Sequence, residues 1–401
     1  MSNLLEKASI ITTPTAYSDG VLHSVKPSES PYADFTFTRN NPGTRVNASG
    51  NIESVGVDLP RINYEGGCGS WLLEPSRSNL QIYSEEFDNG IWNKTRASIT
   101  PNDAISPSGL LDADKLVGVS GSSSYIFDGI SVTSGDVYTI SVFTKFIDIN
   151  EFVIVNFTQS GNAYFNIENG TVISNFGTFT EPKIENYGNG WYRCSVKFTA
   201  TATGNVNYGF FLNNAIDKSV HIWGAQIEVG SYATSYIPTT GSAVTRSADS
   251  ATNAGSSDLI SSTEGVLYLE VAALTSINNF ESISLSNGGV DERIRFTLNS
   301  VENTISVQVT SGGSTVLFRN STLSDITAFN KVAIKYKQDD YAIWINGVEE
   351  HSNITGAVPT LNELNFTSGG DVGNKFIGNV KCVSVFEEAL TDAELTCLTT
   401  I

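Results

Sequence analysis

A chain of 401 residues with 42 acidic against 23 basic side chains carries a formal charge of −19, which repels phosphate backbones and excludes a nucleic-acid groove built from clustered Lys and Arg. Forty per cent hydrophobic and 10% aromatic residues suffice for packed cores, and the length exceeds what one core usually fills, so two or more domains are expected. No run approaches the roughly 18 apolar residues of a membrane span, so no membrane insertion is expected, and Met1 to Ile10 lack the sustained apolar stretch of an export signal.

Residues 1–75 are polar and punctuated by Pro and Gly, with one clear alternation at Phe35-Thr36-Phe37-Thr38 and a turn at Ala48-Ser49-Gly50-Asn51. Such a segment cannot offset its own chain entropy, so it reads as an extended arm ordered by the next domain or by a partner. From 76 to 245 strand-like runs return at short intervals: Tyr125 to Phe127, Tyr138 to Phe143, Phe152 to Phe157, Ala163 to Ile167, Tyr192 to Phe198, Tyr208 to Leu212 and Val220 to Ile227. Turn chemistry separates them at Thr133-Ser134-Gly135-Asp136, Glu168-Asn169-Gly170 and Thr203-Gly204-Asn205, the pattern of a jelly roll. Residues 246–264 are small and polar and read as a linker.

A second β series occupies 265–401, at Gly265 to Val271, Ile294 to Leu298, Ile305 to Val309, Val332 to Tyr336 and Tyr341 to Ile345, with Asn346-Gly347 supplying a type I′ hairpin turn. At the end, Thr391 can cap a helix with Glu394 at its third position, while Leu390 packs on Leu395. This is the one helix the sequence predicts. The expected fold class is all-β: two tandem jelly-roll or β-sandwich domains preceded by an extended N-terminal anchoring segment.

Little in the chain points to catalysis. Glycoside hydrolysis needs two opposed carboxylates, and the nearest approximation, Glu86-Phe87-Asp88, lacks a third acidic member. Asp291-Glu292, Glu349-Glu350 and Glu387-Glu388 are adjacent pairs whose side chains point to opposite faces of a strand. His23, His221 and His351 lie far apart, so neither a zinc site nor a Ser-His-Asp triad has local support. Cys68, Cys194, Cys382 and Cys397 read as reduced thiols, with Cys382 and Cys397 the one pair worth testing.

Sugar binding relies on exposed aromatic faces flanked by amides and carboxylates. Trp344 alternates against Tyr341, Ile343 and Ile345 and so faces outward if those three face a core; a core tryptophan is the competing reading. Trp92 follows a turn and is the second candidate. Trp191 and Trp223 sit in the strongest strand patterns and read as core, while Trp71 is placed to dock the arm onto the jelly roll.

Phe35-Thr36-Phe37-Thr38-Arg39, Thr44-Arg45-Val46-Asn47, Pro60-Arg61-Ile62-Asn63-Tyr64, Leu72 to Leu80 and Tyr83-Ser84-Glu85-Glu86-Phe87, together with Trp191-Tyr192-Arg193-Cys194, Ile222 to Glu228 and Tyr236-Ile237-Pro238-Thr239, resemble bacteriophage structural proteins of the tail-fibre and head-fibre kind. In such proteins the middle region is similar to carbohydrate-binding-module jelly rolls. Residues 265–401 resemble a laminin-G or concanavalin-A-like domain, through Ala342 to Gly347 and Phe376 to Val380. The resemblance implies a virion protein assembled in the host cytoplasm, attached to other virion proteins through its N-terminus and holding host-surface glycan without covalent chemistry. It implies a homo-oligomer, a trimer by fibre habit, with a dimer as the alternative. It also implies a structural Ca²⁺, for which Glu85, Glu86, Asp88 and Glu228 would supply oxygen ligands if the first and last jelly-roll strands are neighbours; an ordinary acidic rim is the competing reading. A glycan depolymerase or lyase, or a ligand-free spacer, are the alternatives to a binding protein.

Overall fold

The computed structural model describes residues 2–28, 30–121, 123–369 and 374–401. Nearly all regular structure is antiparallel strand, arranged as two sandwiches. The middle one pairs a sheet ordered Asn93–Thr95, Ser123–Val132, Gly204–Asn213, Glu151–Asn156, Gly161–Asn166, Thr171–Gly177 with a sheet ordered Ala97–Ile105, Leu111–Gly118, Ser219–Val229, Val137–Phe146, Trp191–Thr199, Phe179–Asn186. Period-2 alternation sends Ile126, Phe152, Ile154 and Phe210 from the first sheet into one core with Ile140, Val142, Val196 and Phe198 from the second. In Ser219–Val229 the ladder slips opposite Ser141 and Phe143, and Gly224 at φ +63° lies in the slip. Ile222 before it and Ala225 and Ile227 after it all reach the same core, whereas Trp223 points to the opposite face.

The C-terminal sandwich stacks Ser314–Thr322, Thr304–Ser311, Arg293–Leu298, Ser282–Ser286, Glu363–Asn365 on a larger sheet running Val348–Ile354, Tyr341–Ile345, Asn330–Lys337, Glu264–Ala272, Gly378–Phe386. Asn346 and Gly347 both have positive φ, as the predicted type I′ turn requires. The terminal helix Asp392–Thr399 carries the predicted capping box, with Thr391 and Glu394 reciprocally bonded, and Leu390 and Leu395 are buried together. A second short helix, Ser2–Lys7, lies outside that expectation.

Residues 1–75 are not a protruding arm. They have no core of their own, and their apolar side chains are divided among three clusters belonging to the rest of the chain. Ile10, Leu22, Phe35, Phe37, Ile62, Trp71 and Leu73 enter the C-terminal core. Leu4, Ala8 and Ile11 cover that sandwich's outer face, and Val46 and Ile52 cover Trp191 and Trp223 on the middle sandwich. Strands Ala8–Thr12 and Ser70–Leu73 share the edge of Gly378–Phe386, so the first residues complete the last domain's sheet. Trp71 therefore docks the segment onto the C-terminal sandwich rather than the jelly roll, with Tyr17 edge-on at 5.9 Å.

The expected linker is likewise part of the packed body. Strand Ser250–Thr252 pairs with Phe35–Thr38, and Ala251, Ala254 and Ile260 are core residues. What orders it is a buried ion cluster joining it to the N-terminal segment. Asp249 receives Arg39 Nη1 at 3.0 Å, Arg61 Nη2 and the Glu74 N–H at 2.8 Å, while Glu74 receives Arg61 at 2.7 Å and Arg246 at 3.1 Å.

Candidate functional site

The outer face of the first middle sheet carries a cluster of aromatic rings set among small and apolar side chains. If Ile126, Phe152, Ile154, Phe210 and Leu212 fill the core, their strand neighbours must face away from it. Strand register lines those neighbours up in two rows across six strands. One row runs Thr95, Tyr125, Phe211, Val153, Tyr164, Ser174, and the next runs Asn93, Phe127, Gly209, Val155, Asn162, Phe176. Phe157, just beyond its strand, brings its ring to 4.9 Å from Tyr125 and 5.7 Å from Phe127, and Phe211 stacks on Tyr125 at 6.2 Å. Tyr164 and Phe176 form an edge-on pair at 5.9 Å on the far strands.

Gly209 makes this possible, because a Cβ there would lie 2.0 Å from the Ile126 carbonyl oxygen and 2.8 Å from the Phe127 Cβ. Phe157 and Phe176 are 39% and 60% exposed, whereas Val153 and Val155 beneath the rings are buried. Amides of Asn93, Asn162, Asn205 and Asn207 edge the surface, with Asn205 Nδ2 donating to Asn207 Oδ1 at 3.2 Å. Flat apolar rings bordered by fixed amides can hold the C–H face of a sugar while the amides meet its hydroxyl groups.

The tryptophans singled out from the sequence are elsewhere. Trp344 does point away from the Tyr341, Ile343 and Ile345 side of its strand, but the face it occupies is roofed by Leu4, Ala8, Ile11, Leu390 and Leu395, leaving it 6% exposed. Trp92 is 1% exposed, packed on Phe87 at 5.1 Å and Phe210 at 5.7 Å, with Nε1 donating to the Tyr83 carbonyl. Neither offers a face to a ligand. Trp191 and Trp223 are buried as expected.

The four carboxylates proposed for calcium do not converge, and among the described residues no group of three or more His, Cys, Asp or Glu is arranged to hold a metal. Glu228 is sealed in and receives Gln226 Nε2 and both the N–H and hydroxyl of Thr234. Glu85 accepts instead from the Tyr236 hydroxyl, and burial pushes its carboxyl up. The four cysteines are unpaired. The histidines, read as isolated, each have a hydrogen-bonding partner: His221 Nε2 meets Asp103 at 2.9 Å, His351 meets Ser321 at 3.4 Å, and His23 lies between Ser18 and Asp34.

A separate cleft of about 310 Å³ opens where the N-terminal segment meets both sandwiches. Lys183, Glu185 and Tyr187 come from one edge of the middle sandwich, and Glu65 faces them from the segment. Neither Glu65 nor Glu185 forms a salt bridge among the described residues. The Glu65 carboxyl is raised, first by the protein around it and then by the neighbouring Glu185 charge, with Arg193 acting in the opposite direction. Burial also pushes the Tyr187 hydroxyl well up.

Residues 271–396 match the concanavalin A-like lectin/glucanases superfamily, laminin G type. The match covers the C-terminal sandwich and includes both binding proteins and enzymes in its description. A comparison with curated proteins finds no match. Among solved structures, the chain is similar to the sialidase carbohydrate-binding module CBM40 of Ruminococcus gnavus bound to α2,3-sialyllactose, with 16% identity and a TM-score of 0.31 over 35% of this chain and 84% of that one. It is also similar to domain 4 of a GH43 extracellular arabinanase from Geobacillus stearothermophilus in complex with arabinotriose, with 15% identity and a TM-score of 0.30 over 43% and 84% of the two chains. A botulinum neurotoxin serotype D binding domain gives 9% identity and a TM-score of 0.27 over 37% and 39%. Scores this low transfer no ligand to this chain.

The aromatic face escaped the sequence reading because a ring on a strand is equally at home in a core. The signal was present in Tyr125-Ile126-Phe127 and Phe210-Phe211: when adjacent residues are all large and apolar, the sheet has apolar side chains on both faces.

Proposed function

We propose that this protein is a carbohydrate-binding appendage of a virus particle, gripping host-surface glycan on the aromatic outer face of the middle sandwich. The observation that carries the glycan reading is the pair of side-chain rows holding Tyr125, Phe211, Tyr164, Phe127 and Phe176, with Phe157 beside them, at a border of Asn amides. The surface crosses six strands, so several consecutive sugar rings can lie along it, each stacking weakly. No bond is made or broken. Many copies on one particle convert weak single contacts into firm attachment through effective concentration.

The virion role is supported by the fibre-like motifs of residues 35–87 and 191–239. Because the N-terminal segment is packed against both sandwiches, attachment to other virion proteins would use its outward side, where Tyr32 is 66% and Val57 45% exposed, rather than a free tail. A trimer or dimer fits that role. The depolymerase alternative has one observation in its favour, the Glu65 and Glu185 carboxylates in the interdomain cleft, and release of reducing sugar from host glycan measures it directly.

The test is binding of host-surface polysaccharide to the double variant Tyr125→Ala/Phe127→Ala. Both side chains are half-buried, so the fold survives. Loss of two stacking rings removes about 1–3 kcal/mol, a weakening of about 5- to 150-fold. Unchanged affinity in the folded variant rejects the aromatic face as the site. Electron microscopy of particles with this chain labelled tests the virion role separately.

A further inference from the structure

We propose that Ser18, His23 and Asp34 form a hydrolytic triad acting on small carboxylic esters, with Ser18 as nucleophile, His23 as general base and Asp34 as the residue that positions it. Ser18 Oγ is 2.9 Å from His23 Nε2, and His23 Nδ1 is 2.7 Å from Asp34 Oδ2. Each ring nitrogen thus faces the partner that acyl transfer requires: the hydroxyl proton goes to Nε2, while the carboxylate holds Nδ1–H and stabilises the imidazolium that forms.

The fold fixes this arrangement. Tyr17–Ser18, Val21–Leu22 and Phe35–Thr38 are consecutive strands of one small sheet, registered Ser18 with Val21 and Leu22 with Phe35. His23 and Asp34 extend the second ladder by one position, and the His23 N–H is bonded to the Ala16 carbonyl. Alternation therefore places Ser18, His23 and Asp34 on one face, while Leu22, Phe35 and Phe37 anchor the other face in the C-terminal core. Asp34 is further held by the Ser24 N–H at 2.8 Å on its second oxygen, and Ser24 is pinned by Thr12 at 2.6 Å and by the Ala33 carbonyl at 2.7 Å. The carboxylate is 12% exposed, the imidazole 35%, and Ser18 is open to solvent, so burial increases from nucleophile to orienting acid.

The reaction balances without any group beyond water. Ser18 Oγ bonds to the ester carbonyl carbon as its proton passes to His23 Nε2. The C–O bond to the alcohol breaks, and the alcohol leaves with that proton. Water then attacks the acyl-serine, again giving a proton to Nε2, which returns it to Ser18 Oγ as the carboxylic acid departs. The Asp19 N–H, next in sequence to the nucleophile, makes no hydrogen bond among the described residues; in α/β-hydrolases the N–H of the residue after the nucleophile serves the oxyanion. The open surface suits small acyl groups such as an O-acetyl ester.

The test uses the full chain with p-nitrophenyl acetate and, separately, a fluorophosphonate probe followed by peptide mass spectrometry. The expected result is hydrolysis above buffer and a single adduct on Ser18. Ser18→Ala and His23→Ala should each lower the rate at least about tenfold and abolish the adduct. Since Ser18 is exposed, Ser18→Ala leaves the fold and glycan binding intact, and Tyr125→Ala/Phe127→Ala leaves the adduct intact, so this proposal and the glycan reading stand or fall separately. Absence of an adduct on Ser18, or a Ser18→Ala rate equal to wild type, overturns it.

Discussion

Replacing Asp249 by Asn tests what fastens residues 246–249 to the N-terminal segment. Three guanidinium groups, on Arg39, Arg61 and Arg246, share two carboxylates, on Glu74 and Asp249, and the side chains are at most 3% exposed. The substitution leaves three buried positive charges facing one carboxylate. Removing one partner of a buried ion pair costs about 3–5 kcal/mol. The lower end applies here, because Asn keeps an acceptor and the arginines retain carbonyl partners at Asn41, Thr44, Val55 and Gly56. At about 2.1 cal/mol/K per residue a body of about 400 residues loses roughly 1 °C of melting temperature per kcal/mol, so a fall of about 3–4 °C is expected by calorimetry, with a matching shift in urea midpoint. Lys197→Ala, which breaks an exposed pair with Glu181, should cost less than about 1 kcal/mol. An Asp249→Asn protein melting within about 1 °C of wild type, or a Lys197→Ala effect of equal size, would refute the claim that this cluster rather than surface pairing fastens the segments.

Other consequences can be checked alongside. The guanidinium groups of Arg246 and Arg61 hold the Glu74 carboxyl down at about 2, outweighing its burial; a depressed carboxyl stabilises the fold fully above its unfolded value of about 4.5, so this contribution should disappear as pH falls from about 4.5 towards 2, and Glu74→Gln should flatten that part of the stability profile. Asp114 is displaced the other way, up to about 6 by burial; its contribution is complete below about 4 and lost as pH rises through 6, and Asp114→Asn should remove that slope. Trp344→Ala, beneath the terminal helix, should cost about 3–5 kcal/mol in denaturant unfolding while leaving glycan affinity of the folded protein unchanged. A fragment of residues 246–401 should fail to give a cooperative melt, because Ile10, Phe35, Phe37, Ile62, Trp71 and Leu73 of its core lie outside it, and adding residues 1–75 in trans should restore one.

The amino-acid sequence by itself determined the class of structure. Alternation at Tyr138 to Phe143 and Val332 to Tyr336, the Asn346-Gly347 turn and the Thr391 cap are local signals, written within a few residues of where they act, and the corresponding strands, turn and helix are present. Strands such as Thr171–Gly177 and Phe179–Asn186 were illegible for the opposite reason: they lie at sheet edges with mostly solvated side chains and carry little apolar periodicity. Only the tertiary structure decided which face of a strand is covered and by what. Trp344 points away from its own core, as its spacing says, but a helix and a segment more than 300 residues earlier roof it. Tyr125 and Phe127 obey the same alternation but stay half-exposed on an outer face with Phe157 beside them. Ser18, His23 and Asp34 meet because two hairpin registers superimpose them. Burial depends on which distant surfaces meet, and periodicity within a strand cannot specify that.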